Sequence, residues 1–89
     1  MTRIQYLKLK DKKEQYEILK HELKLVSEVA PFGAHNIVAE KVGISTKYSK
    51  QIRAYEGAKH PTYDNYTMVQ RMVVEYRKIN NKEIQKLSV

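Results

Sequence analysis

The stretch that decides the fold of this chain runs from His35 to Ala54 and reads HNIVAEKVGISTKYSKQIRA. It contains two short segments whose apolar residues recur at helical spacing, separated by a turn at Gly43. The apolar residues that can meet across this turn are Ile37, Val38, Val42, Ile44 and Ile52. A helix, a tight turn with glycine and a second helix form the sequence outline of a helix-turn-helix.

The second segment, predicted to be helical as far as Tyr55, places polar side chains on one face. Its predicted inner line is Tyr48, Ile52 and Tyr55, with Ser49 beside it. Its predicted outer line is Thr46, Lys47, Lys50, Gln51 and Arg53. Exposed Lys and Arg neutralise phosphates with release of counterions, which provides affinity without sequence selectivity. Gln can bond both groups of an adenine edge, and Arg or Lys can bond guanine. The outer line therefore predicts contact with DNA.

Three further residues extend this predicted contact surface. Ser45 is expected to cap the second helix. Asn36 lies at the start of the first helix, where free N–H groups and the positive end of the helix dipole attract a phosphate. Lys59 lies in the loop beyond the second helix and adds positive charge. The predicted DNA-binding residues are therefore Ser45, Thr46, Lys47, Lys50, Gln51, Arg53, Asn36 and Lys59.

The positive charge of the chain is concentrated around the second segment. The formal net charge is +7, yet residues 11–30 carry four lysines and five acidic residues and are close to neutral. Residues 41–60 carry five basic side chains against Glu56 alone. Basic residues clustered on one element are typical of proteins that bind nucleic acid.

The residues before this unit predict two helical segments. Residues 1–10 leave open a flexible arm, a helical extension or a strand in a dimer, and the helix, with Thr2 and Gln5 as a capping box, is favoured. Asp11 and Glu14 form the capping signature of a long helix, whose apolar residues recur three and four apart. This helix is expected to end before the next proline, since the residue before a proline disfavours helical backbone.

The residues expected to join, cap or interrupt the helices complete the predicted architecture. Phe32 is expected to fill the junction between two helices. Thr62 or Asp64 is expected to cap a final long helix. Asn80 and Asn81 are expected to interrupt that helix. The fold class predicted is all-α, a small bundle of about five helices. Residues 1–89 form one domain, with a helix-turn-helix core at residues 35–55 and a tail at residues 80–89.

No pattern in the sequence predicts catalysis, a cofactor, a metal site or a small-molecule ligand. The three histidines, His21, His35 and His60, lie on different elements and are expected to be surface or capping residues. The chain has no cysteine, no glycine-rich phosphate loop and no G-x-S-x-G motif. It also has no apolar run of the length that a signal peptide or a membrane span needs, so a cytoplasmic protein is expected.

The residues on both sides of the turn at Gly43 resemble a known family. Val38 to Ser45 read VAEKVGIS, which is similar to the LAEKLGIS typical of the lambda-repressor/Cro-like helix-turn-helix family. Glu56 to Thr62, together with Tyr66, resemble that family's E-x-G-x-x-x-P-S…L segment, and the whole resemblance covers about residues 34–73. It implies an all-α domain that binds operator DNA, commonly as a dimer. At positions where family members contact DNA, this chain has Ser45, Thr46, Lys47, Lys50 and Gln51.

The chain departs from the family pattern in two places. The span from Gly43 to Gly57 is about two residues longer than usual, which implies an extended recognition helix or a different loop. Ser49 stands where the family usually has an apolar residue that packs the two helices together. Either a neighbouring side chain compensates or the helix is slightly rotated, so the choice between Gln51 and Arg53 as a reader of bases stays open.

The sequence therefore predicts a transcriptional regulator of Cro/repressor type, as in phages or mobile elements, that acts by occupying double-stranded DNA. A homodimer through the first or last long helix would suit half-sites about 34 Å apart. One alternative is a protein-interaction or structural module that binds nucleic acid non-specifically or not at all. A third alternative is an RNA-binding protein. The aromatic residues argue against it, because they fall on predicted core stripes and would not be available to stack on bases.

Overall fold

The computed structural model describes residues 1–54 and 62–87, with side chains described as far as residue 82. This part of the chain contains five α-helices and no β-strand. The helices are α1 (Arg3–Leu7), α2 (Lys12–Glu28), α3 (Ala34–Val42), α4 (Thr46–Ala54) and α5 (Tyr63–Leu87). The predicted all-α fold of about five helices is confirmed. None of these helices is both long and apolar enough to cross a membrane.

Side-chain caps begin α1, α4 and α5, whereas α2 and α3 have none. Thr2 and Gln5 form the predicted capping box, with hydrogen bonds of 2.8 and 3.2 Å between their side chains and backbone N–H groups. Thr62 Oγ1 caps α5 by accepting the N–H of Asn65 at 3.1 Å. Asp11 precedes α2 as predicted, but its side chain makes no capping hydrogen bond. Its backbone is left-handed, with φ of 53°, whereas a capping residue normally has extended backbone.

The last helix is longer than the sequence predicts. It continues through Asn80 and Asn81, so the predicted interruption is wrong. Asparagine weakens a helix mainly by bonding to nearby backbone groups of its own segment. Asn80 instead donates its side-chain N–H to the carbonyl of Val26 in α2, at 3.1 Å. The side chain thus ties two helices together.

The core of the molecule is built on the buried face of α5. Five side chains spaced three and four residues apart form this face: Tyr66, Val69, Met72, Val73 and Tyr76. From α2, Tyr16 and Leu23 pack against it, and from α3, Ala34 and Val38. The contacts of α5 with α2 and α3 are the most extensive between helices of the described residues. The long C-terminal helix is therefore the support on which the earlier helices lie.

Tyrosine rings take the place of larger aromatic residues at one end of this core. The ring of Tyr66 lies 5.6 Å from that of Tyr6 and 6.2 Å from that of Tyr16, measured between centroids. Tyr6 also meets Tyr63 edge-on at 5.9 Å. Tilted and edge-on arrangements are the favourable ones for aromatic pairs. This cluster attaches the short α1 to the start of α5.

Two apolar side chains that were expected inside lie on the surface. Phe32 is 108% exposed, so the prediction that it plugs a helix junction is wrong. Ile37 is 49% exposed, although the sequence predicted it on the same side as Val38. A helix of nine residues has only one narrow buried face, and Ala34 and Val38, four residues apart, already occupy it. Ile37 therefore points outward.

The buried side chain of Leu23 provides a test of this packing. Leu23→Ala is expected to lower the free energy of unfolding by about 2–5 kcal/mol, because it removes apolar contacts and leaves a cavity. Leu7→Ala is the matched control, since Leu7 is 66% exposed, and should change stability by no more than about 0.5 kcal/mol. Urea unfolding followed by circular dichroism measures both. Equal losses in the two variants would contradict the packing described here.

Candidate nucleic-acid interface

The connection between α3 and α4 is a three-residue turn whose backbone is closed by hydrogen bonds. Gly43 has φ of 84°, a left-handed conformation that glycine adopts without steric cost. Its N–H and that of Ile44 both donate to the carbonyl of Ala39, each at 2.9 Å. Ser45 Oγ then accepts the N–H of Tyr48 at 3.1 Å and caps α4. The turn has the length and the glycine that a helix-turn-helix uses.

The exposed face of α4 is polar and carries two positive charges near its centre. Ser49 and Ile52 are the buried residues of this helix. Lys47, Lys50 and Gln51, at i, i+3 and i+4, lie on the opposite side and are exposed, as is Thr46 at the start of the helix. The structure thus brings these four predicted residues together, with Ser45, on one surface.

The inner side of α4 differs from the prediction. Tyr48, predicted to be in the core, is 42% exposed and lies at the edge of the outer face. Ser49 takes the inner position and is completely buried. Tyr55, the third residue of the predicted inner line, lies outside the described residues.

Arg53 has a different environment from the other predicted DNA-binding residues. Its side chain is half-buried, and its Nε atom is buried without a hydrogen-bond partner. Its positive charge acts on His35 of α3 and on Tyr76 of α5, lowering the pKa of each. Arg53 therefore lies at the margin of the exposed face and contacts the interior.

A hydrogen bond connects α3 to α5. His35 Nδ1 and the hydroxyl of Tyr76 are 2.6 Å apart, and the two rings meet edge-on at 5.7 Å. Burial raises the pKa of Tyr76, while Arg53 and a weak interaction with Ser49 lower it. The Ser49 hydroxyl itself has no hydrogen bond of good geometry. We call these four residues, from α3, α4 and α5, the polar cluster.

The sequence did not predict the polar cluster. His35 was expected to be a surface or capping residue, but it is half-buried and bonded to Tyr76. The two residues are 41 positions apart, and no motif connects them. The spacing of Tyr76 on an apolar stripe predicted its burial but not its partner.

Two long cationic side chains donate hydrogen bonds to backbone carbonyls near the ends of α3 and α4. The Arg71 guanidinium of α5 donates to the carbonyl of Lys41, near the end of α3, at 3.1 Å. Lys20 of α2 donates to the carbonyl of Ile52, near the end of α4. Cations at helix C-termini also interact favourably with the helix dipole. Neither helix depends on the turn alone for its position.

Of the remaining predicted residues, Asn36 is the one that the structure describes. Asn36 is exposed in the first turn of α3, where backbone N–H groups have no partner within the helix. The residue before that helix, Gly33, provides no side-chain cap. Lys59 lies outside the described residues.

Comparison of the chain with protein-family models, with curated proteins and with solved structures finds no match. The interpretation of this surface therefore rests on its own chemistry. Among the described residues, no three histidine or acidic side chains come together as a metal site would require. What α4 presents is a set of cationic and hydrogen-bonding side chains on a rigid helix.

The polar cluster predicts a dependence of stability on pH. Burial, and then the charge of Arg53, lower the pKa of His35 below its ordinary value of 6.5. The unfolded chain therefore binds this proton at a higher pH than the folded chain. The free energy of unfolding should have its full His35 contribution above about pH 6.5 and lose it as the pH falls through the lowered pKa.

The comparison variant is His35→Gln, which keeps a hydrogen-bonding group near Tyr76 and cannot titrate. Urea unfolding of both proteins at a series of pH values isolates the contribution of His35, because the other titrating groups are common to both. Wild type should lose stability relative to the variant below pH 6.5. A difference that does not change with pH would contradict the assigned environment of His35.

Proposed function

We propose that this protein is a sequence-specific DNA-binding regulator of Cro/repressor type, with α4 as its recognition helix. The observation that carries the proposal is the exposed face of α4. Lys47, Lys50 and Gln51 project from it side by side, behind a capped helix start and a three-residue turn. A helix of this kind fits the major groove of DNA, and its preceding helix crosses the backbone.

Affinity would come from the basic residues. Each lysine that neutralises a phosphate releases counterions, and this contribution does not depend on sequence. Thr46 at the start of α4 and Asn36 at the start of α3 add hydrogen-bonding groups at helix N-termini, where a phosphate is favoured. These contacts would set the position and orientation of the domain on the duplex.

Selectivity would come mainly from Gln51. Its amide can bond the N6 and N7 groups of adenine together. Arg53, the other predicted reader, is half-buried and interacts with the polar cluster, so it is less free to reach a base edge. Tyr48 becomes a further candidate, because its exposed position places a hydroxyl beside the same face.

The rival function is a protein-interaction or structural module that keeps this helical arrangement without reading DNA. The same basic face could then bind nucleic acid of any sequence, or none. Selection of binding sites from random double-stranded DNA, followed by affinity measurements at several salt concentrations, separates the two. Equal affinity for selected and random sequences would refute the regulator.

Substitutions on α4 then assign the roles of single residues. Lys50→Ala should weaken binding to all sequences and reduce the slope of log K against log salt by about 1. Gln51→Ala should cost about 1–3 kcal/mol at the selected site and relax preference at one base position. Lys13→Ala, an exposed lysine of α2, is the control and should change neither. Unchanged binding in both α4 variants would show that another face contacts DNA.

A further inference from the structure

An open groove with a mostly apolar lining lies between α2 and α5. Its volume is about 760 Å³, and binding sites for small molecules commonly measure about 300–1,000 Å³. Leu19 of α2 and Val73 and Val74 of α5 are among the apolar side chains that line it. Val73 belongs to the core and Val74 is 47% exposed, so apolar surface continues from the interior to the solvent. The groove can therefore bury the apolar part of a ligand.

The acidic side chains that line this groove are both paired with cations. Glu22 of α2 forms an ion pair with Arg77 of α5. Glu75 of α5 pairs with Lys78, with 3.3 Å between Oε1 and Nζ. An unpaired carboxylate would repel an anion, whereas these pairs leave little net negative charge in the groove. The acidic side chains therefore do not exclude an anionic ligand.

Arg71 gives the groove a positive charge that no acidic side chain of the described residues neutralises. Its side chain is exposed, and its guanidinium donates to a neutral acceptor, the carbonyl of Lys41, at 3.1 Å. A guanidinium has several N–H donors and can bond both oxygens of a carboxylate together. Arg71 and Val74 are three residues apart and thus neighbours on the surface of α5. An anion and an apolar group can therefore be bound side by side.

We propose that this groove binds a small amphipathic carboxylate. Its apolar chain would lie on Leu19, Val73 and Val74, and its carboxylate on Arg71. One unpaired cation balances the single charge of a carboxylate, whereas a phosphate monoester carries about two negative charges. The sequence predicted no small-molecule ligand, because the two walls of the groove come from helices that are far apart in the chain.

Arg71 also connects the groove to the helix-turn-helix. The carbonyl to which it donates belongs to Lys41, in the last turn of α3 and two residues before Gly43. A carboxylate on the same guanidinium changes the surroundings of this carbonyl and of the next peptide N–H, that of Val42. The Val42 amide therefore reports the anionic end of the ligand, while the methyl groups of Val74 report its apolar chain.

Titration of the isotope-labelled full chain with decanoate, followed by NMR, tests this inference. The Val74 methyl groups and the Val42 amide should shift together and give one Kd. Acetate has the same charged group without the chain, and decyltrimethylammonium has the same chain with the opposite charge. Each should bind at least about tenfold more weakly than decanoate, because each loses one of the two contacts.

Substitutions in the groove then locate the ligand. Arg71→Gln should raise the Kd for decanoate about tenfold, because it removes a charge-assisted hydrogen bond. Val74→Ser should raise it about threefold or more, because it removes apolar contact. The matched controls lie outside the groove: Lys13→Gln, another exposed cation, and Leu25→Ser, whose side chain is 51% exposed against 47% for Val74. Both should keep the wild-type Kd.

Several results would overturn the inference: no saturable binding of decanoate, equal affinity for decyltrimethylammonium, or an unchanged Kd in both groove variants. Equal weakening by the control variants would do so as well, as would a Val42 amide that does not shift. Circular dichroism checks that each variant keeps its helical content. Because no DNA is present, the outcome does not depend on the proposed regulator function.

Discussion

The buried face of α5 is the constraint on which the rest of this structure depends. A domain of this size has a small core, so few side chains must fix the positions of all helices. Val69, Met72 and Tyr76 are completely buried and face α2 and α3 together. α5 is the last of the described helices in the sequence, yet it is the helix against which α2 and α3 pack. The position of the Gly43 turn in the fold is therefore set by contacts between residues that are far apart in sequence.

The position of α4 depends on polar contacts as well as on this core. Ser49 and Ile52 bury one side of the helix, while Lys20 bonds to its backbone from α2. His35 and the buried Tyr76 share a short hydrogen bond of 2.6 Å. Buried polar groups are costly unless paired, and once paired they restrict the geometry of what surrounds them. The short bond fixes α3 against α5, while Ser49 and Arg53, the members of the polar cluster on α4, have buried atoms without a hydrogen-bond partner.

The surface of the domain is divided by charge and polarity. α4 presents lysines and hydrogen-bonding side chains, whereas α2 has a formal charge of zero and exposes Ile18 and Leu25 among charged side chains of both signs. The positive charge available to an anionic partner therefore lies on α4 rather than on α2.

The sequence by itself determined the helices α2, α3 and α4, most of α5, the turn at Gly43 and the cap at Ser45, because these features depend on spacing and on local backbone bonding. It left the structure of residues 1–10 open, and also the choice between Thr62 and Asp64 as the cap of α5. Tertiary structure decided the inward or outward direction of side chains near the edge of an apolar stripe. Ser49 is buried and Tyr48 is exposed because of the way α4 is rotated against its neighbours, which no local pattern records. The bond between His35 and Tyr76 likewise arises only when α3 and α5 meet.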